Sequence, residues 1–446
     1  MVLAALVFLL AASPATAPPL RDLLAGAQRL FDASDRPGAR RELTRAAKLY
    51  PASPVVHNFL GILDAEDGKP AAAEARFREA VRCDPQYTDA FLNLGRLYQE
   101  NAGRDPQAPA KALAAYEAIL RYEPAHAEAN FQAATLLHAA GELARALQHL
   151  ERMPAEDRAR PAARQLLAAI HEGQGALDRA RAVLEEFAGP RPAVDLLLEL
   201  ARLATKQKDY KGALGYLAHA RDVEPTNARV HFLFGIVCVE LDLGVEAFNS
   251  LREAVRLAPE DASVNYALGA VALHRREAAE ALPYFRKYAE LRPGEPRAAL
   301  ALGLAHYRAA DFQAARAELG RAAAHGQTAA AANYFLARIA REENDLPEAL
   351  RLAQKAVEVY PDYADAYAEL GLVYFRLRQA DRAEEALRRC LALDSANYLG
   401  NLHLQMLYQR NRDPRAAEQA RRVEELNKKR EQKADEFRRV IKVQPN

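Results

Sequence analysis

The chain has 446 residues, half of them hydrophobic, with 21 glycines, 24 prolines and no tryptophan. This composition is typical of packed helices and argues against a disordered chain or a β-sandwich. Lysine plus arginine (61) nearly balances aspartate plus glutamate (60), so the chain lacks the basic excess that displaces counterions from a nucleic-acid backbone. Nucleic acid is therefore excluded as an expected partner.

The segment 1–17 has the pattern of a secretory signal peptide. An apolar run from Val2 to Ala12 is followed by Ala15-Thr16-Ala17, which matches a small-residue cleavage site. No lysine or arginine precedes the run, so the alternative is an apolar cap on the first repeat. We expect cleavage after Ala17 and export to the periplasm or the medium, with a cytoplasmic location as the alternative. The run is too short to span a bilayer, and no other stretch is apolar enough, so no integral membrane segment is expected.

From about Leu20 onward, residues of one type recur every 34 positions, which is the mark of a repeat architecture. The glycine column has one gap, which is filled by Ala337. The glycine column is Gly235, Gly269, Gly303 and Gly371; the alanine column is Ala213, Ala247, Ala281, Ala315, Ala349, Ala383 and Ala417; and the proline column is Pro225, Pro259, Pro293 and Pro361.

Each 34-residue row predicts a helical hairpin. Apolar residues recur at steps of three and four, which places them on one face of a helix. Asp209, Asp311 and Asp345 each precede the alanine column by four residues, where a carboxylate can accept the free N–H groups that open a second helix. The proline column then ends the second helix, because proline lacks the N–H that continuation requires.

These columns resemble the tetratricopeptide repeat, a helix-turn-helix with Leu-Gly, Tyr, Ala, Phe, Ala and Pro at fixed offsets. The clearest rows carry Leu60-Gly61, Ala73, Phe77, Ala80 and Pro85; Phe234-Gly235, Ala247, Leu251, Ala254 and Pro259; and Leu370-Gly371, Tyr374, Ala383 and Leu387. The resemblance implies an all-α, right-handed α-solenoid of about 11 to 12 repeats. We place the tandem array at 18–396, and a degenerate last repeat with a C-terminal capping helix at 397–446.

The middle of the array is less regular than its ends. About five extra residues lie between Asn101 and Ala110, and Ala134 and Ala168 replace the column glycine in the next two rows. The insertion predicts either a recognition loop or simple drift in a tolerant turn. Pro283 falls inside a second helix, where it is expected to kink that helix.

No sequence motif of catalysis or of cofactor binding occurs. Phosphate-binding and dinucleotide-binding glycine loops, H-E-x-x-H and the G-x-S-x-G elbow are all missing. Cys83, Cys238 and Cys390 contain no C-x-x-C pair and lie far apart, so they predict three free thiols. We therefore expect no catalytic residue, no metal, no cofactor and no enzyme activity.

The resemblance implies a ligand groove lined by the second, fifth, ninth and twelfth positions of the first helices. In the C-terminal half these columns are rich in aromatic and arginine side chains, which tend to dominate interface energies. The candidate protein-binding residues are Phe232, Tyr266, Tyr307, Tyr334, Arg338, Arg341 and Phe375. The alternative is that tight winding buries this stripe between repeats as core.

Together, these features lead us to expect a non-catalytic scaffold that binds extended peptide or protein segments, in an exported or envelope assembly. One alternative is a cytoplasmic adaptor of the same fold, such as a co-chaperone-like protein. The repeated Lys and Asn pattern of the family's chaperone-tail clamp does not occur in these columns, which disfavours that version. Another alternative is a repeat-bearing subunit of an enzyme complex.

Overall fold

The computed structural model describes residues 18–275 and 277–442, the side chains of 430–442 excepted. All regular structure within these residues is α-helical, as the sequence predicts. The predicted signal peptide, 1–17, lies outside the described residues. The helices divide into two compact units, one ending at Arg191 and the other beginning at Pro192.

The first unit contains five helical hairpins and one short extra helix, α9, before the fifth hairpin. The hairpins are α1 (Leu20–Asp32) with α2 (Arg36–Leu49), α3 (Pro54–Glu66) with α4 (Pro70–Cys83), α5 (Thr88–Glu100) with α6 (Ala108–Leu120), α7 (Ala127–Ala139) with α8 (Leu143–Arg152), and, after α9 (Ala155–Arg158), α10 (Pro161–Gly173) with α11 (Leu177–Ala188).

The second unit contains seven hairpins, so the described chain has twelve in all, within the predicted number. They are α12 (Val194–Lys206) with α13 (Tyr210–Val223), α14 (Ala228–Glu240) with α15 (Gly244–Leu257), α16 (Ala262–His274) with α17 (Ala278–Leu291), α18 (Pro296–Arg308) with α19 (Phe312–Ala323), α20 (Gly326–Glu342) with α21 (Leu346–Val359), α22 (Ala364–Arg376) with α23 (Ala380–Leu393), and α24 (Tyr398–Arg410) with α25 (Ala416–Lys442).

Aspartate caps start the second helices where the sequence predicts them. The carboxylates of Asp209 and Asp345 accept backbone N–H groups three residues ahead at 3.0 and 3.1 Å. Asp311 does the same for α19 at 3.1 Å. Each bond satisfies one of the four N–H groups that open a helix, so the cap prediction is confirmed.

The short turns that the structure describes in full inside the hairpins share one backbone feature: their middle residue is left-handed. Glycine occupies this position in Gly68 and Gly175, with φ of 72° and 76°. Lys208 and Ala310 adopt the same conformation with φ of 60° and 59°. A left-handed residue ends the first helix and turns the chain back, and only glycine does so without a steric penalty from Cβ.

The glycine column makes room for a large side chain on the paired helix. A Cβ at Gly269 would lie 2.8 Å from Cε1 of Phe285, and one at Gly303 would lie 2.6 Å from Cγ of Leu319. Ordinary carbon contacts are 3.4 to 4 Å. The glycines therefore serve close packing, and what they accommodate is chiefly a side chain.

The alanine column is buried in the second unit, apart from its last member. Its members from Ala213 to Ala383 have no exposed surface. Ala417 is exposed, so its assignment to this column is wrong. The reason is that α25 begins only at Ala416, so Ala417 is its second residue, whereas Ala383 is the fourth residue of α23.

Two irregular positions also take clear forms. The turn between α5 and α6 spans 101–107, whereas the equivalent turn between α3 and α4 spans 67–69, so the inserted residues lengthen this turn. An ion pair from Lys111 to Asp105 at 2.7 Å and an Asn101 side-chain bond to the Leu97 carbonyl at 2.7 Å hold the longer turn. Pro283 lies inside α17 and does not end it.

Candidate protein-binding surface

The seven candidate residues all lie on first helices of the second unit. Six of them are half-buried, and Tyr334 is buried, with 6% of its surface exposed. The helices that carry them are α14 for Phe232, α16 for Tyr266, α18 for Tyr307, α20 for Tyr334, Arg338 and Arg341, and α22 for Phe375.

Arg338 lies at the centre of an aromatic cluster, which we call the Arg338 cluster. Its guanidinium carbon is 5.3 Å from the ring centre of Tyr307, 5.6 Å from Tyr334 and 5.8 Å from Phe335. It donates a hydrogen bond to the Tyr334 hydroxyl at 3.3 Å, while its buried Nε has no hydrogen-bond partner. The cluster joins α18 to α20 by cation–π contacts as well as by buried area.

The phenols of the cluster stay protonated. Burial raises the pKa of Tyr307 to about 12 and outweighs the nearby Arg338, which lowers it. The Tyr307 hydroxyl donates to the Glu342 carboxylate at 3.1 Å. Burial also raises the pKa of Tyr334. At neutral pH the cluster therefore presents hydroxyl groups and one cation.

Arg341 is already paired within the chain. Its Nε donates to Glu369, a residue of α22 that is only 5% exposed. Breaking such a pair leaves a buried carboxylate without compensation, which is costly. The pair therefore ties α20 to α22, and a ligand carboxylate would have to compete with Glu369 for this guanidinium.

Phe375 is covered on one face by the following hairpin. The guanidinium carbon of Arg410 lies 3.7 Å from the ring centre, and Arg410 also donates to the Phe375 carbonyl at 2.9 Å. Arg376, at the same place one repeat earlier, donates to the Arg341 carbonyl at 3.2 Å. Arginines at the ends of first helices thus fasten successive hairpins together.

Tyr266 and Phe232 pack partly into the core. The Tyr266 ring centre is 5.0 Å from that of Tyr288 and 5.8 Å from that of Phe285. Phe232 packs against the large core cluster that includes Phe234 and Leu268. The side chains of the stripe thus join neighbouring hairpins, and all but Tyr334 keep part of their surface exposed.

A cavity of about 450 Å³ lies between α12, α13 and α14, and the seven candidate residues do not include its lining. Leu198, Leu233 and Ile236 provide apolar lining, and the charged members are Asp195, Glu199, Arg202, Lys206 and Arg229. A sequence signal was present. Asp195, Leu198, Arg202 and Thr205 occupy the second, fifth, ninth and twelfth positions of the row before the one that contains Phe232.

The same columns contain apolar side chains that are openly exposed. Val239 on α14 is 47% exposed, and Leu399 and Met406 on α24 are each 38% exposed. Leu399 and Met406 extend the predicted columns into the last hairpin. Exposed apolar residues that recur on one face are more informative than isolated ones, because contiguous apolar surface often marks a partner site.

The cysteine thiols are free, and two of the three are buried. Burial raises the pKa values of Cys238 and Cys390 to about 12, so both are neutral, packed side chains. All three cysteines are free, and Cys83 is half-buried. Within the described residues, none of the helices has both the length and the apolar character needed to cross a membrane.

Models of the tetratricopeptide repeat match the chain at residues 24–88, 104–170, 245–296, 300–358 and 352–385. Together these segments cover more than half of the sequence, on the hairpins described above. The chain belongs to the tetratricopeptide repeat family. The tetratricopeptide array is thus a protein-interaction scaffold, which confirms the coarser part of the functional expectation.

A curated relative matches a small part of this chain. The protein named "Probable biofilm formation methyltransferase WspC" of Pseudomonas putida is 36% identical over 76 residues. The match covers 17% of this chain and 18% of that protein. The chain therefore spans less than a fifth of the relative's length.

Three solved structures share a distant likeness with the array. Yeast Tom70 is 16% identical with a TM-score of 0.45, over 95% of this chain and 96% of that one. The structure of Naa15/Naa10 bound to HypK-THB is 18% identical with a TM-score of 0.43, over 88% and 66%. The APC/C hetero-tetramer Cut9-Hcn1 is 13% identical with a TM-score of 0.42, over 91% and 94%.

Proposed function

We propose that this tetratricopeptide array is a non-catalytic scaffold whose second unit holds an extended peptide or protein segment against its first helices. The observation that carries the proposal is the cavity between α12, α13 and α14. Its volume of about 450 Å³ is large enough for one or two side chains of a ligand. Half of its lining residues are at the column positions that line the groove in this family: Asp195, Leu198, Arg202, Thr205, Arg229 and Ile236.

The lining suggests the chemistry of the segment. An apolar floor of Leu198, Leu233 and Ile236 suits a branched or aromatic anchor, and burying that anchor supplies most of the affinity. Carboxylates from Asp195 and Glu199 and the guanidinium of Arg229 suit charged groups of both signs beside it. The favoured ligand is thus an extended segment in which apolar and charged residues alternate.

The seven predicted residues have different parts in this proposal. Phe232, Tyr266, Tyr307 and Phe375 keep exposed surface on the same columns and can extend the footprint beyond the cavity. Tyr334 is buried, Arg338 lies against three aromatic rings and Arg341 is paired, so these three mainly hold the hairpins that carry the others.

Site-specific photocrosslinking tests the binding surface. A benzophenone amino acid placed at Ile236 should capture a recurrent segment in cells, which mass spectrometry then identifies. The matched control carries the same probe at Val223, which is 48% exposed on second helix α13 and does not line the cavity. Leu233→Glu should weaken binding of the identified segment. Equal capture of the same proteins from both positions would contradict the proposal.

The exported location is the second part of the proposal, and it rests on the signal-like pattern of residues 1–17. The full chain, expressed in a bacterium with two membranes, should be recovered from the periplasm with Pro18 as its first residue. Ala17→Arg should block cleavage and leave the precursor. An intact Met1 on the unaltered chain in the cytosolic fraction would contradict export.

The methyltransferase named among the relatives supports one alternative, that the array serves an enzyme. The proposal favours a non-catalytic chain, because hairpins account for nearly all of the described residues. Calorimetry with S-adenosylmethionine, the usual methyl donor, should give no heat of binding to the full chain. Stoichiometric binding of this donor would contradict the non-catalytic assignment and favour the enzyme alternative.

A further inference from the structure

Three residues with metal-binding side chains meet in the second hairpin. His57 lies on α3, and Glu79 and Cys83 lie one turn apart on α4. One ligand atom from each side chain lies within 4.8 Å of the other two. The antiparallel pairing of α3 with α4 therefore brings together a nitrogen, a carboxylate oxygen and a sulfur.

His57 has the environment of a metal ligand. Its side chain is buried, with 6% of the residue exposed. The Nε2 atom is hydrogen-bonded with the Pro51 carbonyl at 2.8 Å, while the buried Nδ1 atom has no hydrogen-bond partner. Histidines that bind metals usually donate their second ring nitrogen to such an oxygen. One nitrogen can thus remain on the carbonyl while the other binds an ion.

The seventh hairpin provides an internal comparison. His231 lies at the same repeat position, with Nε2 2.8 Å from the Pro225 carbonyl, and Glu253 and Arg256 repeat the pair Glu79 and Arg82. The one member that differs is the thiol, because Leu257 stands where the second hairpin has Cys83. The histidine-to-carbonyl bond is therefore structural in both hairpins.

We propose that His57, Glu79 and Cys83 bind a borderline-soft divalent cation of the zinc type. Zinc accepts histidine nitrogen, thiolate sulfur and carboxylate oxygen, and three protein ligands leave one position of a tetrahedron open. The thiol loses its proton to solvent when the thiolate binds the ion. The open position would take water or a side chain from a bound protein.

The neighbouring groups permit this change. Glu79 accepts two bonds from Arg82, from Nε at 2.8 Å and from Nη2 at 2.5 Å, but the pair lies on the surface, where water competes for both partners. Its carboxylate can therefore turn from Arg82 to an ion. Cys83 is half-buried and its Sγ lies 3.8 Å from the Pro51 carbonyl, so an ion can reach it from solvent.

Cobalt titration of the full, tag-free, reduced chain tests the site. Bound Co²⁺ should give a thiolate-to-cobalt charge-transfer band and intense visible bands of tetrahedral cobalt at one equivalent, and Zn²⁺ should displace both. Absence of a charge-transfer band at any cobalt concentration would overturn the proposal.

Two variants copy residues that the chain itself uses at these positions. Cys83→Leu copies Leu257, and His57→Asn copies Asn265, whose side chain donates to the Pro259 carbonyl at 2.9 Å. Both variants should fold, because the seventh and eighth hairpins contain Leu257 and Asn265 at the equivalent positions. Loss of a residue that is hydrogen-bonded to a metal ligand weakens metal affinity about 10- to 100-fold. Each of these variants removes a ligand itself, so its cobalt affinity should fall by at least about tenfold.

His231→Asn is the matched control in the seventh hairpin. It removes a histidine from the same structural position, so cobalt affinity and the charge-transfer band should stay unchanged. If Cys83→Leu binds cobalt as tightly as the unaltered chain, or if His231→Asn weakens binding as much as His57→Asn, the assignment of the site is wrong.

Discussion

Gly269→Ala should destabilise the hairpin of α16 and α17, although alanine is the better helix former. The added Cβ would lie 2.8, 2.9 and 3.1 Å from three carbons of the Phe285 ring, where ordinary contacts begin at 3.4 Å. The ring or the helix must therefore move by about 0.6 Å in a close-packed interior. Phe285 is only 2% exposed, so it has little space in which to move.

The expected magnitude is the difference between two opposing effects. Overpacking of this kind costs about 1 to 3 kcal/mol. Replacing glycine by alanine within a helix returns about 0.5 to 1 kcal/mol. The net loss at Gly269 should be up to about 2.5 kcal/mol. Gly215→Ala on α13 is the matched control, because nothing lies within 4 Å of its added Cβ, and it should stabilise by about 0.5 to 1 kcal/mol.

Urea unfolding followed by circular dichroism measures both variants, and hydrogen exchange of α16 and α17 reports the local free energy if the array unfolds in steps. Phe285→Leu should partly rescue Gly269→Ala, because Ala201 and Leu217 already form the smaller pair in the same core cluster. The packing argument would be refuted if Gly269→Ala were as stable as Gly215→Ala. It would also be refuted if the effects of Gly269→Ala and Phe285→Leu on the free energy of unfolding were additive.

Three further outcomes are expected. Ala310→Gly should raise the free energy of unfolding measured in urea by about 0.5 to 1 kcal/mol, because it removes a left-handed alanine at the cost of some chain entropy. An unchanged value would show that Ala310 is not strained. Arg341→Met should lower the free energy of unfolding by about 3 to 5 kcal/mol, because Glu369 is left buried and unpaired. Adding Glu369→Gln should recover most of this loss, and a double variant no more stable than Arg341→Met would contradict the explanation. Burial lowers the pKa of His403 from 6.5 to about 4, so the folded state favours the neutral ring. The free energy of unfolding should therefore fall by up to about 3 kcal/mol as the pH drops from 6.5 to 4. His403→Asn should remove that component from a series of urea midpoints.

Local signals account for the part of the fold that the sequence predicts well. The cap at Asp209 needs only its own carboxylate and the N–H of Gly212, so its sequence position is sufficient. Column spacing similarly fixes which face of a helix meets its partner. Ala417 shows the limit of that reasoning, because a later helix start moves a residue out of its column even when its number in the sequence fits.

The candidate surface could be predicted only in part. The column rule predicts that Arg341 and Phe375 line the groove, but their availability depends on Glu369 and Arg410, which belong to the next hairpin. The column rule contains no information on those neighbours. Extending the same columns one row earlier would have found Leu198 in the cavity lining.

The cluster of His57, Glu79 and Cys83 is hidden from motif searches for a different reason. Its members come from two antiparallel helices, so no short spacing such as C-x-x-C joins them. Only the pairing of α3 with α4 brings the histidine to the thiol. A search for ligands across paired columns of a repeat would detect such a group.

Contacts between repeats use the same columns that we propose for partner binding, and this determines how a mutation here should be interpreted. A side chain that is already packed, such as Tyr334, has little apolar surface left to bury against a ligand, so its replacement by alanine affects mainly the free energy of unfolding. An exposed one, such as Met406 on α24, has surface still to bury, so its replacement affects mainly affinity. The residues that dominate partner binding should therefore be the exposed apolar members of these columns and the lining of the cavity, while the Arg338 cluster keeps the carrying helices in register.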